Sequence, residues 1–486
     1  MNRKFIPTII LFFGCLLAFQ AEAQNIFSIN DIIDRAKQQS PFSKQAETQK
    51  ETSYWQYRSY RTNYNPQLRL NGNLPTYFNS VSPVRQEDGT LVYIPINQLN
   101  PNLNFGLQQP IAITGGTISA NTGYNFFNDN FSGASQWSGT IMNVQLTQPV
   151  FAYNPLKWDK RTRPIQYEES KRIYAERLEE ISRDAVSFFF DVLQQQVNEQ
   201  IARFNLANND TINKIEQGRY NIGTTSQDKL LQVELQLLNS RRDVAQAQLD
   251  LETARLQLRI YLGLKDGDNF ELILPEEIPQ FQMTIDEALE YGRLNRADYI
   301  AFERRRIEAE SEVAAAKGQR YQTTITASYG LNNVGASVSD LYANPSKQQI
   351  ANVSFNVPIV DWGRRKAMMQ TAYANKKLTD YVIAQNMVNF EQEIITQVRQ
   401  FEMLRLQIDI TKKSDEVAQE RYMVAQNRYL IGKIDITNLN IALTEKDTAK
   451  RSYLLALKSF WTAYYNLRRL TLYDFANRKA LYIVEE

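Results

Sequence analysis

Apolar and polar positions alternate with period two in two well-separated stretches. Met142, Val144, Leu146 and Val150 point one way while Asn143, Gln145 and Thr147 point the other. Ala351, Val353, Phe355, Val357 and Ile359 likewise oppose Asn352, Ser354 and Asn356. Both read as strands with one apolar face and one uncharged polar face. A third stretch alternates through Leu103, Phe105, Leu107, Ile111 and Ile113, turns at Gly115-Gly116, and returns through Ile118, Ala120, Thr122, Tyr124 and Phe126. That is a β-hairpin, and Thr114-Gly115-Gly116-Thr117 is its turn. Elsewhere the period changes. Leu230, Val233, Leu237, Ser240, Val244, Ala247, Leu251, Ala254, Leu258 and Tyr261 recur at alternating steps of three and four, as do Leu439, Ala442, Lys446, Ala449, Tyr453, Ala456, Phe460, Ala463, Leu467 and Leu470. Each is a heptad seam with small residues interleaved, suited to close antiparallel helix packing. From Asn154 to Tyr220 the only prolines are Pro155 and Pro164, both near the start, and no glycine occurs before Gly218. A helix of about 65 residues there would reach on the order of 100 Å.

A two-faced strand fits a barrel wall with lipid outside and water inside, and it fits an ordinary half-buried sheet. Composition shifts the balance. Arg3 and Lys4, the apolar run from Phe5 to Phe19 and the small-x-small end Ala21-Glu22-Ala23 read as an export signal over residues 1–23. No later run approaches the roughly 20 apolar residues of a spanning helix, and mean hydropathy is −0.45. A mature chain that crosses a membrane would therefore do so as a closed barrel. Tyr124, Phe126, Phe127, Phe131, Trp137, Phe151, Tyr153, Trp158 and Trp362 cluster near strand ends, where interfacial girdles occur.

The 486 residues hold 55 Lys+Arg against 53 Asp+Glu with no block of like charges, which excludes the electrostatic footprint of a nucleic-acid binder. There is no histidine, and the single cysteine, Cys15, lies in the leader. Histidine-based catalysis and His- or Cys-ligated metal sites are thereby excluded from the mature chain, and no cofactor or catalytic site is expected.

The chain repeats itself. Phe27-Ser28-Ile29-Asn30-Asp31-Ile32-Ile33 reappears as Met283-Thr284-Ile285-Asp286-Glu287-Ala288-Leu289, offset by 256. Leu146-Thr147-Gln148-Pro149-Val150-Phe151 matches Phe355-Asn356-Val357-Pro358-Ile359-Val360, and Arg219-Tyr220-Asn221-Ile222-Gly223 matches Arg428-Tyr429-Leu430-Ile431-Gly432, both offset by 209. The difference, 47 residues, is extra material in the first half between about residue 72 and residue 137. The first repeat spans 24–270, with a short helix, a β region at 66–151 holding the hairpin of about 101–128, a long helix, a turn near 223 and a return helix. The second spans 271–486, with the same order, a β region at 322–360, a turn near 432 and a tail. Return helices of roughly 38 residues and short helices of roughly 36 would together approximate the long helix, at about 110 Å. Leu264 to Gln282, with Phe270-Glu271-Leu272-Ile273-Leu274-Pro275 within it, reads as a small mixed belt at their joint.

On these residues the chain resembles the TolC-like outer-membrane efflux family. The likeness covers essentially the whole mature sequence: the duplication, the Gln-Pro-Val-Phe and Val-Pro-Ile-Val transitions from strand to helix, and Arg-Tyr-x-Ile-Gly at both helix turns. It implies an α+β, internally duplicated fold, in which a trimeric β-barrel in the outer membrane continues into a long α-helical coiled-coil periplasmic tunnel. It implies a homotrimer in outer-membrane lipid, a passive conduit whose tip opens when a periplasmic adaptor and an inner-membrane transporter engage it. Four strands per chain cannot close a barrel, since spanning barrels start at about eight, which agrees with assembly. The resemblance places Pro149, Phe151, Pro358 and Trp362 at the strand-to-helix transitions. It places Tyr220, Gly223, Ser226, Asp228, Tyr429, Gly432, Asp435 and Asn438 at the tip. Gly223 and Gly432 are read as helix stops, Ser226 and Asp435 as N-caps of the returning helices, and Tyr220 and Tyr429 either as bonds that hold the gate shut or as plain caps of the coiled coil.

Two departures stand out. Well-studied members carry acidic residues six and nine positions after the second glycine, where this chain has Asn438 and Ile441, so Asp228 or Asp435 would have to form any acidic ring. The extra hairpin either lies outside the barrel or enlarges it from twelve to eighteen strands, and the link between strand number and diameter favours the former. The alternative function is a periplasmic coiled-coil adaptor or binding protein of an export complex; two helical hairpins and two-faced strands argue against it.

Overall fold

A computed structural model describes residues 25–265, 270–275, 277–319 and 322–482. The export signal at 1–23 lies outside them. The elements run β1 (Asn25–Phe27), α1 (Ile29–Gln39), α2 (Pro41–Thr62), β2 (Gln67–Asn73), β3 (Tyr77–Arg85), β4 (Leu91–Leu99), β5 (Asn102–Ile111), β6 (Gly116–Asp129), β7 (Ser135–Val150), α3 (Pro155–Asn221) and α4 (Gln227–Leu262). Then follow β8 (Phe270–Leu272), α5 (Ile285–Asn295), α6 (Ala297–Gly318), β9 (Gln322–Gly335), β10 (Ser346–Asn356), α7 (Arg364–Leu430), α8 (Ile436–Thr471), β11 (Tyr473–Asp474) and β12 (Lys479–Ala480). Helix lengths repeat residue for residue: 11 and 22, then 67, then 36, in each half.

The repeated start has a local cause. Ser28 and Asp31 form a capping box, with the Ser28 amide donating to Asp31 Oδ2 at 2.9 Å and the Asp31 amide to Ser28 Oγ at 3.3 Å. Thr284 and Glu287 do the same at 2.9 and 3.2 Å. The reciprocal bonds satisfy donors that a helix start leaves open. The short helix, however, is two helices rather than one of about 36 residues. In the first half Pro41 opens the second piece, as its fixed φ and missing amide allow. In the second half no breaker is present. Arg296 is extended at φ −75°, ψ 146°, and Glu176 of α3 accepts from the Ala297 amide at 2.9 Å, so a tertiary carboxylate caps α6.

The described residues pack as two compact units. One comprises the chain to Lys44, Ile181–Gln280 and Met403–Ala463; the other comprises Gln45–Glu180, Phe281–Glu402 and the chain from Tyr464. In the first, β1 pairs parallel with β8, Phe27 beside Leu272, and α4 buries Val233, Leu237, Ser240, Ala247, Leu251, Ala254, Leu258 and Tyr261. This is the expected seam, Leu230 and Val244 excepted. In the second, Ala288, Phe390, Ile394, Val398, Leu467, Leu470 and Phe475 form a core, and the unit also holds a buried ionic group. There Arg468 bonds Glu179 at 2.7 Å and Asp474 at 2.7 Å, and Tyr464 also donates to Asp474, at 2.9 Å. Asp474 lies in the tail, whose own ladder pairs β11 with β12 rather than repeating the β1–β8 pairing.

The second unit also holds one eight-stranded sheet, ordered β10-β9-β7-β6-β4-β3, with β5 between β6 and β2. All its pairings are antiparallel. Strand β2 runs on into β3, and β4 into β5, so 67–85 and 91–111 form one interrupted hairpin. The two strands of the extra hairpin, β5 and β6, lie in mid-sheet, between β2 and β7. Alternation had shown two-faced strands, but strand partners are set by contacts distant in sequence.

Candidate functional site

Both long helices reverse through the same device. Gly223 and Gly432 sit at φ 75° and 73°, in the left-handed region, with open space where a Cβ would point. Around the first, the Gly223 amide donates to the Tyr220 carbonyl at 3.0 Å and the Thr224 amide to Arg219 at 2.9 Å; around the second, Gly432 donates to Tyr429 at 2.9 Å and Lys433 to Arg428 at 2.9 Å. This pair of bonds is the Schellman arrangement, which closes the carbonyls a helix end leaves open and which glycine adopts without steric cost. The return helices start on polar caps. Ser226 Oγ accepts from the Lys229 amide at 3.5 Å, and Asp435 Oδ1 accepts from both the amide and the side chain of Asn438, each at 2.9 Å. Asp228 stands exposed in the first turn of α4, where a carboxylate suits the helix dipole.

The two tyrosines are not equivalent. Tyr220 is 41 % exposed, Tyr429 only 2 %. The Tyr429 hydroxyl donates to Glu216 Oε1 at 2.7 Å, and Arg219 donates to the same oxygen at 2.6 Å. The Arg219 guanidinium lies 5.2 Å from the Tyr429 ring centre. One carboxylate on α3 thus ties the first reversal to a phenol on α7 beside the second. Burial would raise the Glu216 carboxyl, but donation from Tyr429, Arg219 and Thr225 outweighs it and holds the group below its ordinary value. Burial, then the bond to Glu216, pushes the Tyr429 phenol up, so it stays a donor across the physiological range. Beneath them Ile212, Val233, Tyr422, Ile436, Leu439, Ala442 and Leu443 form the local core.

Glu216 escaped the sequence reading because its counterpart at the repeat offset is Ala425, so the duplication pointed away from it. Its only local signal was the i,i+3 pairing with Arg219. A second feature was also missed. The seam residue Lys446 is buried, its Nζ 4.2 Å from the Phe204 ring centre and 4.7 Å from that of Tyr422. Asp447 lies 3.3 Å from its ammonium and accepts from Asn205 at 2.8 Å. Burial, with the Asp447 charge, pushes the Tyr422 phenol up to about 12.

At the strand-to-helix transitions, Pro149 pairs within β7 opposite Thr324, whereas Pro358 lies beyond β10 and its carbonyl accepts from Arg365 at 2.8 Å. Phe151 and Trp362 take φ of 61° and 51°. Bulky side chains rarely adopt that region, so both turns hold local strain. Both rings are open, at 79 % and 96 % exposure. Among the described residues no group of His, Cys, Asp and Glu could hold a metal ion, and no helix is long and apolar enough to cross a membrane.

Comparison with known proteins agrees with this geometry. No curated protein matches the sequence. Among solved structures, the chain is similar to a membrane protein from Pseudomonas aeruginosa, at 14% identity and TM-score 0.67, over 96% of this chain and 94% of that one. It is similar to the Campylobacter jejuni CmeC outer membrane channel, at 15% identity and TM-score 0.66, over 91% and 85%. It is also similar to the open state of the Neisseria gonorrhoeae MtrE outer membrane channel, at 16% identity and TM-score 0.59, over 91% and 88%. At such identities the likeness is one of fold: a duplicated barrel-and-helix channel architecture. The family model for outer membrane efflux proteins matches residues 32–264 and 293–471. The chain accordingly belongs to the outer membrane efflux protein family, which comprises non-enzymatic channels of the outer membrane.

Proposed function

We propose that three copies of this chain form the outer-membrane conduit of a tripartite export system, carrying solutes from a periplasmic tip to the cell exterior. A periplasmic adaptor opens the tip and an inner-membrane transporter supplies the energy. The observation that carries this reading is the sheet. It is apolar on one face and polar on the other, and among the described residues the outer edge of β10 at one side and those of β2 and β3 at the other are unpaired. Such edges have to be paired by further copies, because a lipid-embedded wall tolerates no open edge. A row of exposed apolar residues on α4 (Leu231, Leu235, Leu238, Leu249, Leu256 and Ile260) asks for a neighbouring helix in the same way.

In this reading the segments 24–270 and 271–486 are paired halves of one wall, and the two helix reversals form the gate. Gly223, Gly432, Ser226, Asp435 and Asn438 shape the turns, with Asp228 beside them. Tyr429, held by Glu216 and Arg219, is the latch that keeps the reversals together, and exposed Tyr220 faces a neighbouring copy. Phe151 and Trp362 sit at the lipid boundary, where aromatic rings are favoured.

The test is fractionation and deletion. The protein should appear in outer-membrane fractions as a heat-modifiable trimer, and cells lacking it should become hypersensitive to exported drugs and recover on re-expression. Recovery of the mature protein as a soluble periplasmic monomer would overturn the proposal.

A further inference from the structure

We infer that the extra hairpin is part of the membrane wall, so that each copy contributes six strands and three copies close an eighteen-stranded barrel. The closure pairs β10 of one copy with the β2–β3 edge of the next. This rests on the trimeric reading above and goes beyond it.

Four observations converge. The first is pairing on both sides: β6 is bonded to β7 from Thr117↔Thr147 to Asn128↔Ser135, and β5 to β2 from Gln67↔Gln108 to Asn73↔Asn102. The second is the turn between β5 and β6, which is fastened where β7 passes into α3. Asn154 donates to the Ala112 carbonyl at 2.8 Å, Gln148 donates to the Thr114 carbonyl at 3.1 Å, and Thr114 Oγ1 donates to Gln148 Oε1 at 2.7 Å. A hairpin standing apart would leave that level of the wall.

The third is continuity of the apolar face. Leu107, Ala120, Val144 and Tyr329 are successive partners across four strands, and Ile118, Leu146, Ala327 and Ala351 make a parallel row. Leu68, Leu70, Leu103 and Phe105 extend the band to the β2 edge, all more than a third exposed. Placed outside a bilayer, that band would be a large apolar patch open to water. The fourth is continuity of the polar face. Gly106, Asn121, Asn143 and Gly330 are successive partners, and Asn104 faces Gly123. A Cβ at Gly106 would fall 2.3 Å from Asn121 Oδ1, and one at Gly123 only 2.0 Å from Asn104 Oδ1, so the carboxamides lie directly over the glycines. The interlocked pairs of the hairpin are in line with the Asn143–Gly330 pair of its neighbours.

Six strands cannot close alone, since spanning barrels begin at about eight. Three sixes close at eighteen, and because diameter grows roughly linearly with strand number, the barrel is about 1.5-fold wider than one of twelve.

Electron cryo-microscopy of the mature full-length protein in lipid nanodiscs decides the matter. Six wall strands per copy support the inference. A trimer with four wall strands per copy and 102–129 outside them overturns it while leaving the conduit intact, whereas particles that are not trimers fail the reading on which it rests. Disulfide trapping is an independent readout, because the only native cysteine, Cys15, lies in the leader. Ser354→Cys on β10 paired with Arg69→Cys or Asn71→Cys on β2 should give covalent dimers and trimers on a denaturing gel. Trapping instead with Ser119→Cys on β6, a mid-wall strand here, would overturn the assignment.

Discussion

Replacing Tyr429 by Phe isolates one bond of the proposed latch. The ring stays in its core and beneath Arg219, while the hydroxyl that donates to Glu216 at 2.7 Å is lost. A hydrogen bond to a charged acceptor contributes about 1.5–3 kcal/mol. Glu216 keeps Arg219 at 2.6 Å, so the lower half of that range applies, about 1.5–2 kcal/mol per copy. At about 1.4 kcal/mol per tenfold, the closed-to-open ratio of one latch should fall by about 10- to 30-fold. Single-channel recording in planar bilayers reads this as a higher open probability, and a double-mutant cycle with Glu216→Ala should show that the two changes do not add. The wild type should also respond to acid. The Glu216 carboxyl is held below its ordinary 4.5, so its contribution is complete above that value and is lost as pH falls through the lowered one. Open probability should therefore climb in that acid window, and less steeply in Tyr429→Phe. An open probability within twofold of wild type at neutral pH, in a variant with unchanged thermal stability, would refute the latch.

Three further outcomes follow, two from burial and one from backbone conformation. Lys446→Met leaves Asp447 buried with only Asn205 as donor and should cost about 3 kcal/mol, whereas Lys446→Met with Asp447→Asn should recover most of that loss in denaturant midpoints. Arg468→Met removes the cation shared by two buried carboxylates, Glu179 and Asp474, and should destabilise the protein by about 3 kcal/mol, seen as a large drop in thermal midpoint. Gly432→Ala meets no atom within 4 Å and so should cost only the left-handed backbone penalty, about 1–2 kcal/mol; Gly432→Asn should cost less.

What was legible in the sequence was what local chemistry dictates. The repeated helix starts after Phe27 and Met283, the glycine reversals and most of the α4 seam follow from short-range pattern, and the structure has helices, turns and buried residues at those places. The break at Arg296 was not legible, because Glu176 on another helix imposes it. Glu216 was hidden because it has no equivalent in the second half. The hairpin was visible as two alternating strands, but alternation assigns faces and says nothing of neighbours. Its place in mid-sheet depends on Asn154, Gln148 and the facing asparagines, all contacts between segments apart in the chain.

Along β2, β5, β6, β7, β9 and β10, the side of the sheet that bears Asn121 and Asn143 presents mainly asparagine, glutamine, serine, threonine and glycine, with one fixed charge of each sign, Arg69 and Asp129, and with Pro110, Phe127, Pro149, Val334 and Ile350 as apolar exceptions. A lining of that kind neither gathers counter-ions nor repels them, and it offers a travelling molecule only weak, exchangeable bonds of the sort water also makes. If that face lines the proposed conduit, anions, cations and neutral amphiphiles would pass along it at similar cost, and any sorting by electrical sign would fall to parts of the path other than the strands.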